Sequence, residues 1–168
     1  MHLDEIAQRL QNASTFNIWS IDETGKTQPW FAVSQEQVVR DLLIHEPTLG
    51  TQVQAISSQV QYWGRLAAQA KRVWEIEERR YRIWRSRFYL NAIMPPPDDS
   101  SWKKPTEKTI EAKYRVDPEY SVWQERLERA EEAFNATQAI LDGFRAKAQL
   151  LKTYAMRVRD DAAPRLAV

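Results

Sequence analysis

The chain has 168 residues, 43% of them hydrophobic and 28% charged, with a formal net charge of +1 and no cysteine. That length fits one domain with at most a small appendage, and the missing thiols exclude a disulfide framework and any thiolate metal centre. No window reaches eighteen apolar residues, and residues 1–20 lack the basic start and apolar run of a signal peptide, so the sequence points to a cytoplasmic protein without a membrane span.

In chain order, Leu3, Ile6, Ala7 and Leu10 share one helical face and predict a short amphipathic helix over residues 3–12. Residues 16–33 change character. Phe16, Ile18, Trp19 and Ile21 precede a turn around Gly25, and Trp30, Phe31 and Val33 follow Pro29, which reads as a short hairpin or an aromatic loop. Ser34 with Gln37 forms a capping-box pattern, and Val38, Val39, Leu42, Leu43 and Ile44 predict a helix that stops at Pro47. A long periodic stretch follows at Leu49, Val53, Ile56, Val60, Trp63, Ala67, Ala70, Trp74, Glu77, Tyr81, Trp84 and Phe88, interrupted only by Glu77. The link after it contains Pro95-Pro96-Pro97, then Asp98-Asp99-Ser100-Ser101, then a short helix capped by Thr106. Asp98 and Asp99 are adjacent carboxylates in a loop, which suits a solvated turn better than a metal site.

Residues 117–159 carry a second seam at Tyr120, Trp123, Leu127, Ala130, Phe134, Thr137, Leu141, Phe144, Ala148, Leu151, Ala155 and Val158, with no charge in it. Steps of three and four sustained this long predict a coiled-coil type helix, roughly 63 Å long at ~1.5 Å per residue. Asp117 suits its N-cap, Pro118 its first turn and Glu119 its dipole, while Asp160-Asp161 and Pro164 close it. The matched seams predict a mainly α fold: a long antiparallel helical hairpin over residues 47–168, with a basic linking segment 91–117 and a small N-terminal helix and hairpin subdomain over residues 1–46. A second stripe on the closing helix, Ala133, Ala136, Ile140, Gly143, Lys147, Leu150 and Tyr154, is mostly small or apolar. A hairpin alone leaves that stripe wet unless neighbouring subunits or the N-terminal third cover it, so Ala133, Ala136, Ile140, Gly143, Leu150 and Tyr154 are candidates for an oligomer interface in a helical bundle or ring larger than a dimer.

Catalytic signatures are missing. The four glycines make no phosphate-binding loop, and the two histidines, His2 and His45, are far apart in sequence and belong to no metal-binding motif. We therefore expect no enzyme activity, no cofactor and no metal.

The chemistry concentrates between the seams. Residues 79–115 hold ten basic and four acidic residues, against six and ten before them. Arg79, Arg80, Arg82, Arg85 and Arg87 are interleaved with Tyr81, Trp84, Phe88 and Tyr89, and guanidinium groups beside aromatic rings suit single-stranded nucleic acid. Candidate contacts are Arg79, Arg82, Arg85, Arg87, Tyr89, Lys103, Lys104, Lys108 and Lys113. Against this, Glu75, Glu77 and Glu78 stand at helical spacing from Arg79, Arg80 and Arg82 and can neutralise them, and Tyr81, Trp84 and Phe88 are seam positions. Arg85 and Arg87 have no acid within a turn on their own helix, leaving either an external partner or Glu119 and Glu131 across the seam.

Arg85-Ser86-Arg87 followed by Phe88-Tyr89, then Lys108-Thr109-Ile110, then an acid-started closing helix with Trp123, Leu141 and Phe144, form a pattern over residues 71–159. It resembles the UvsY-type recombination mediator proteins of bacteriophages. The family has a glycine-rich segment after its aromatics, where this chain has Asn91-Ala92-Ile93-Met94 and three prolines, and the N-terminal third here is longer. The resemblance implies a helical oligomeric ring that binds single-stranded DNA, loads a RecA-like recombinase and displaces a single-strand-binding protein, in the host cytoplasm if phage-encoded. The competing expectation is a coiled-coil structural or adaptor protein without a nucleic-acid role.

Overall fold

The structure, a computed structural model, describes residues 15–96 and 101–162, and of 160–162 the backbone alone. The helix expected over residues 3–12, the Asp98-Asp99 pair and Pro164 lie outside the described residues.

The aromatic segment is a hairpin. β1 (Thr15–Ile21) and β2 (Thr27–Ser34) pair antiparallel from Thr15 opposite Ser34 to Ile21 opposite Thr27. The Asp22 carboxylate closes the turn by accepting from the Thr24 and Lys26 amides at 2.9 and 2.8 Å, and Gly25 supplies the left-handed φ of 82°. Pro29 is tolerated because a two-stranded sheet leaves each strand one unpaired edge. Ile18 faces Phe31 and Trp19 faces Pro29, so Trp30 is an extra residue bulging from β2.

Two helix-end expectations change. α1 (Gln35–Leu42) stops before Leu43, whose backbone turns extended while its N–H bonds back to Val39 and Arg40. Leu43 and Ile44 are left exposed outside the helix. Ser34 occupies the N-cap, but its side chain makes no cap bond and Gln37 donates to Asp41 instead, because Ser34 also closes the β2 ladder.

After a single 3₁₀ turn at Glu46–Thr48, α2 runs over Leu49–Ile93 and α4 over Pro118–Ala162, each 45 residues long. Between them stands α3 (Glu107–Arg115), whose first turn is capped by the Thr106 hydroxyl accepting from the Thr109 amide at 3.3 Å. The Asp117 carboxylate accepts from the Glu119 amide at 2.8 Å at the start of α4. The chain is thus mainly helical with one small hairpin, as the two seams imply.

Packing divides the chain into two compact units that each take part of both long helices: residues up to 70 with those from 133, and residues 71–132. In the first unit the N-terminal elements pack with both long helices. The first unit gathers Ile18, Val33, Val38 and Leu42 against Ile56, Trp63, Leu66, Ala67 and Ala70 of α2 and Ile140, Leu141, Phe144 and Leu151 of α4. Trp63 and Phe144 stack with centroids 6.0 Å apart. Lys147 is only 3% exposed, and its ammonium donates to the Asp41 and Leu43 carbonyls at 2.7 and 3.0 Å, capping the end of α1. Burial lowers the Lys147 pKa, and the Asp41 carboxylate partly opposes that.

In the second unit Val73, Glu77, Ile110, Tyr114 and Ala130 are buried. Glu77, 1% exposed, sits inside the seam, where Arg80 donates to it at 2.7 Å from one turn along the same helix.

Candidate nucleic-acid interface

The second unit carries the basic aromatic segment. A step of about 100° per residue around α2 sorts its side chains into faces. Tyr81, Trp84 and Phe88 face the seam and join Tyr114 of α3 and Tyr120 of α4 in a ring cluster with centroids 5.5 to 6.5 Å apart. The Gln124 amide donates to the Tyr81 hydroxyl at 3.3 Å, and burial raises the pKa of that hydroxyl.

Arg80, Ile83, Trp84 and Arg87 follow the i, i+3, i+4, i+7 spacing of one helical face. With Glu119 and Trp123, one turn apart on α4, they line an open crevice of about 360 Å³. The Arg126 guanidinium lies 5.2 Å from the Trp123 ring centroid. On the other flank of the seam the Arg85 guanidinium lies 5.3 Å from the centroid of Tyr114.

Arg85 and Arg87, two residues apart, therefore point about 200° apart around α2. Neither makes the alternative ion pair with Glu119 or Glu131 among the described residues: Arg85 sits on Tyr114, and Arg87 shares the crevice with Glu119. Arg82 is held by Glu78 at 2.6 Å, while Arg79 is exposed with no ion pair among the described residues. Tyr89 is exposed off the seam. Lys103, Lys104, Lys108 and Lys113 are exposed as well and carry no ion pair among the described residues, whereas Arg115 bonds Glu111 at 2.6 Å. The unit thus brings Arg79, Arg82, Arg85, Arg87, Tyr89, Lys103, Lys104, Lys108 and Lys113 into one compact body but on several faces of it. Sequence reasoning left Ile83, Glu119 and Trp123 out of the site; the i, i+3, i+4, i+7 row beginning at Arg80 was the signal that pointed there.

The chain resembles the bacteriophage T4 recombination mediator protein UvsY. The likeness to that crystal structure has a TM-score of 0.59 at 14% sequence identity and spans 76% of this chain and 95% of the other. It establishes a shared fold. No protein-family model matches the sequence, and no curated protein matches it either.

The candidate oligomer residues divide. Ala133, Ile140 and Gly143 are buried and Ala136 half-buried within the chain itself, so the stripe is not wet there: Ile140 packs in one cluster with the hairpin and α1, and Lys147 bonds the end of α1. Leu150 and Tyr154 remain 48% and 44% exposed, with Met156 and Val158 beyond them. Among the described residues no helix is long and apolar enough to cross a membrane, and no group of three or more acidic or histidine side chains is placed to hold a metal ion.

Proposed function

We propose that the protein is a non-enzymatic mediator that binds single-stranded DNA and helps load a RecA-like recombinase onto it in place of a single-strand-binding protein. The observation that carries this reading is the set of exposed cations without ion pairs among the described residues, Arg87, Lys103, Lys104, Lys108 and Lys113, gathered in one unit with the exposed ring of Tyr89 and the half-buried indoles of Trp84 and Trp123. Cations for phosphates and rings for bases are the two requirements of sequence-tolerant single-strand binding. The fold shared with a protein described as a recombination mediator supports the assignment of the process. A labelled single strand challenged with unlabelled single- and double-stranded competitors tests it. Displacement by single strands far below the duplex concentration supports the reading, and equal displacement refutes it. Addition of a RecA-like recombinase to strands coated with a single-strand-binding protein tests the loading step through the recovery of ATPase activity.

Self-association beyond a dimer belongs to this reading, with the interface confined to the exposed end of α4 at Leu150 and Tyr154. Light scattering on the purified protein, compared with a Leu150→Glu, Tyr154→Glu variant, checks it. The adaptor alternative draws on the bulged Trp30, 57% exposed, and its neighbour Phe31, an apolar surface suited to a protein partner. Loss of recombinase stimulation with DNA binding intact in a Trp30→Ser variant would attach that surface to the recombinase instead.

A further inference from the structure

The crevice beside the seam differs from the rest of the basic surface in having walls. Its volume of about 360 Å³ lies within the ~300–1,000 Å³ of small-molecule pockets. The half-buried indoles of Trp84 and Trp123 supply apolar surface, and the exposed Arg87 guanidinium stands free of ion pairs among the described residues. One carboxylate, Glu119, lines the same space, is exposed, and has no cation bonded to it among the described residues.

We propose that this crevice is a nucleobase pocket, taking one unstacked base of a single strand against Trp84 and Trp123 with an adjoining phosphate on Arg87, and that Glu119 selects bases carrying an exocyclic amino group. The inference rests on the single-strand reading above and goes further by naming the pocket and its preference. Indole surface accepts any base, because every base has a π face. A carboxylate is an acceptor only. It receives a hydrogen bond from the amino group of cytosine, adenine or guanine, whereas thymine has no amino group and offers one N3–H donor set between two carbonyl oxygens that repel the carboxylate. A thymine tract should therefore bind more weakly than a cytosine tract. The remaining cations in the unit contact phosphate alone and are indifferent to this difference.

Two measurements on the full chain test it. The first compares oligo-dC with oligo-dT of equal length by fluorescence anisotropy at fixed salt. The wild type should favour oligo-dC by about three- to tenfold, the worth of one net hydrogen bond. Glu119→Ala should bring the ratio close to one, and Glu119→Gln, which keeps a carbonyl acceptor, should restore part of it. Removal of a negative charge strengthens binding to both strands alike, so the ratio is the diagnostic quantity. The second maps ultraviolet crosslinks from a single strand containing 5-iododeoxycytidine by peptide mass spectrometry, with attachment expected at Trp123 or Trp84. Binding with an unbiased ratio and with crosslinks at Tyr89 or Trp102 would overturn the pocket and leave the mediator reading standing. Failure to bind any single strand at low salt would overturn both.

Discussion

The two compact units are built from the same pair of helices with the same three-four seam, and they differ in what flanks it. Beside the seam in the first unit stand Leu66, Ile140 and Gly143, all buried, and the one buried cation there among the described residues caps α1 through backbone carbonyls. Beside the seam in the second unit stand Arg82 and Arg85 on one flank and Ile83 and Arg87 on the other, all exposed. The seam sets the pairing of the helices in both places. Whether a face is closed by more of the chain or kept for a ligand is decided by the positions next to the seam, because apolar flanks gain from being covered and paired or solvated cations do not.

Substitutions in one unit and readouts in the other sharpen that contrast. The largest effect on stability is expected from Phe144→Ala, which empties the space of a fully buried ring stacked on Trp63 and should cost ~3–5 kcal/mol in urea denaturation. Molecules that remain folded should bind single strands as before; a proportional loss of affinity would show that the contrast between the units is one of appearance.

Lys147→Met comes next, at ~1–3 kcal/mol, since two buried carbonyls lose their donor. This substitution also changes the pH profile. The pKa of Lys147 is lowered by burial, so just below the ordinary lysine value of 10.5 the unfolded chain holds more proton than the folded one. Stability contributed at this site therefore rises with pH across that window and is lost as pH falls below it. The difference between wild type and Lys147→Met, followed by urea midpoints from neutral pH to pH ~10, should widen upward. A difference that shrinks with pH would mean that the ammonium is favoured, not penalised, by its surroundings.

Asp117→Ala removes one cap acceptor from α4 and should cost ~1 kcal/mol, with DNA affinity nearly unchanged. The smallest stability effect belongs to Arg85→Ala with Arg87→Ala, which removes the stacking on Tyr114, worth ~0.5–1 kcal/mol. Its effect should fall on the nucleic acid: the slope of log K against log salt should drop by about 1.4, at ~0.7 per phosphate contact. Since the two arginines occupy opposite flanks, the single variants should each account for about half. An unchanged slope with earlier melting would favour the adaptor reading.

The long elements were readable from sequence because their signals are local and repeated. Seam positions of α4 from Tyr120 to Leu151 are all buried or half-buried, and the cap at Asp117 and the one at Thr106 both form. Signals that failed were single residues with two possible uses. Ser34 fits a capping box and also ends a strand, and the strand uses it. The stripe from Ala133 to Lys147 suggested another subunit, since periodicity records that a face is apolar but not which segment covers it. Its cover includes carbonyls 104 and 106 residues away, a separation no periodicity reports. At the candidate site the sequence supplied the cations and rings, yet joined Arg85 to Arg87 by adjacency. Helical geometry parts them, and it draws in Trp123, a seam position in the sequence, and Glu119, placed by the sequence at the helix start.

The bulge in the hairpin has a consequence for length variation. Removing one residue from a strand ordinarily turns every later side chain to the opposite face. Trp30 is already surplus to the ladder: Ile18 opposite Phe31 and Trp19 opposite Pro29 would remain partners without it. A chain lacking Trp30 alone should close the same hairpin, keep Ile18 and Val33 in the core, and present a flatter outer strand. This is the position in β2 where a single-codon deletion is structurally silent, and where gain or loss of one residue could add or erase an exposed indole without disturbing anything beneath it.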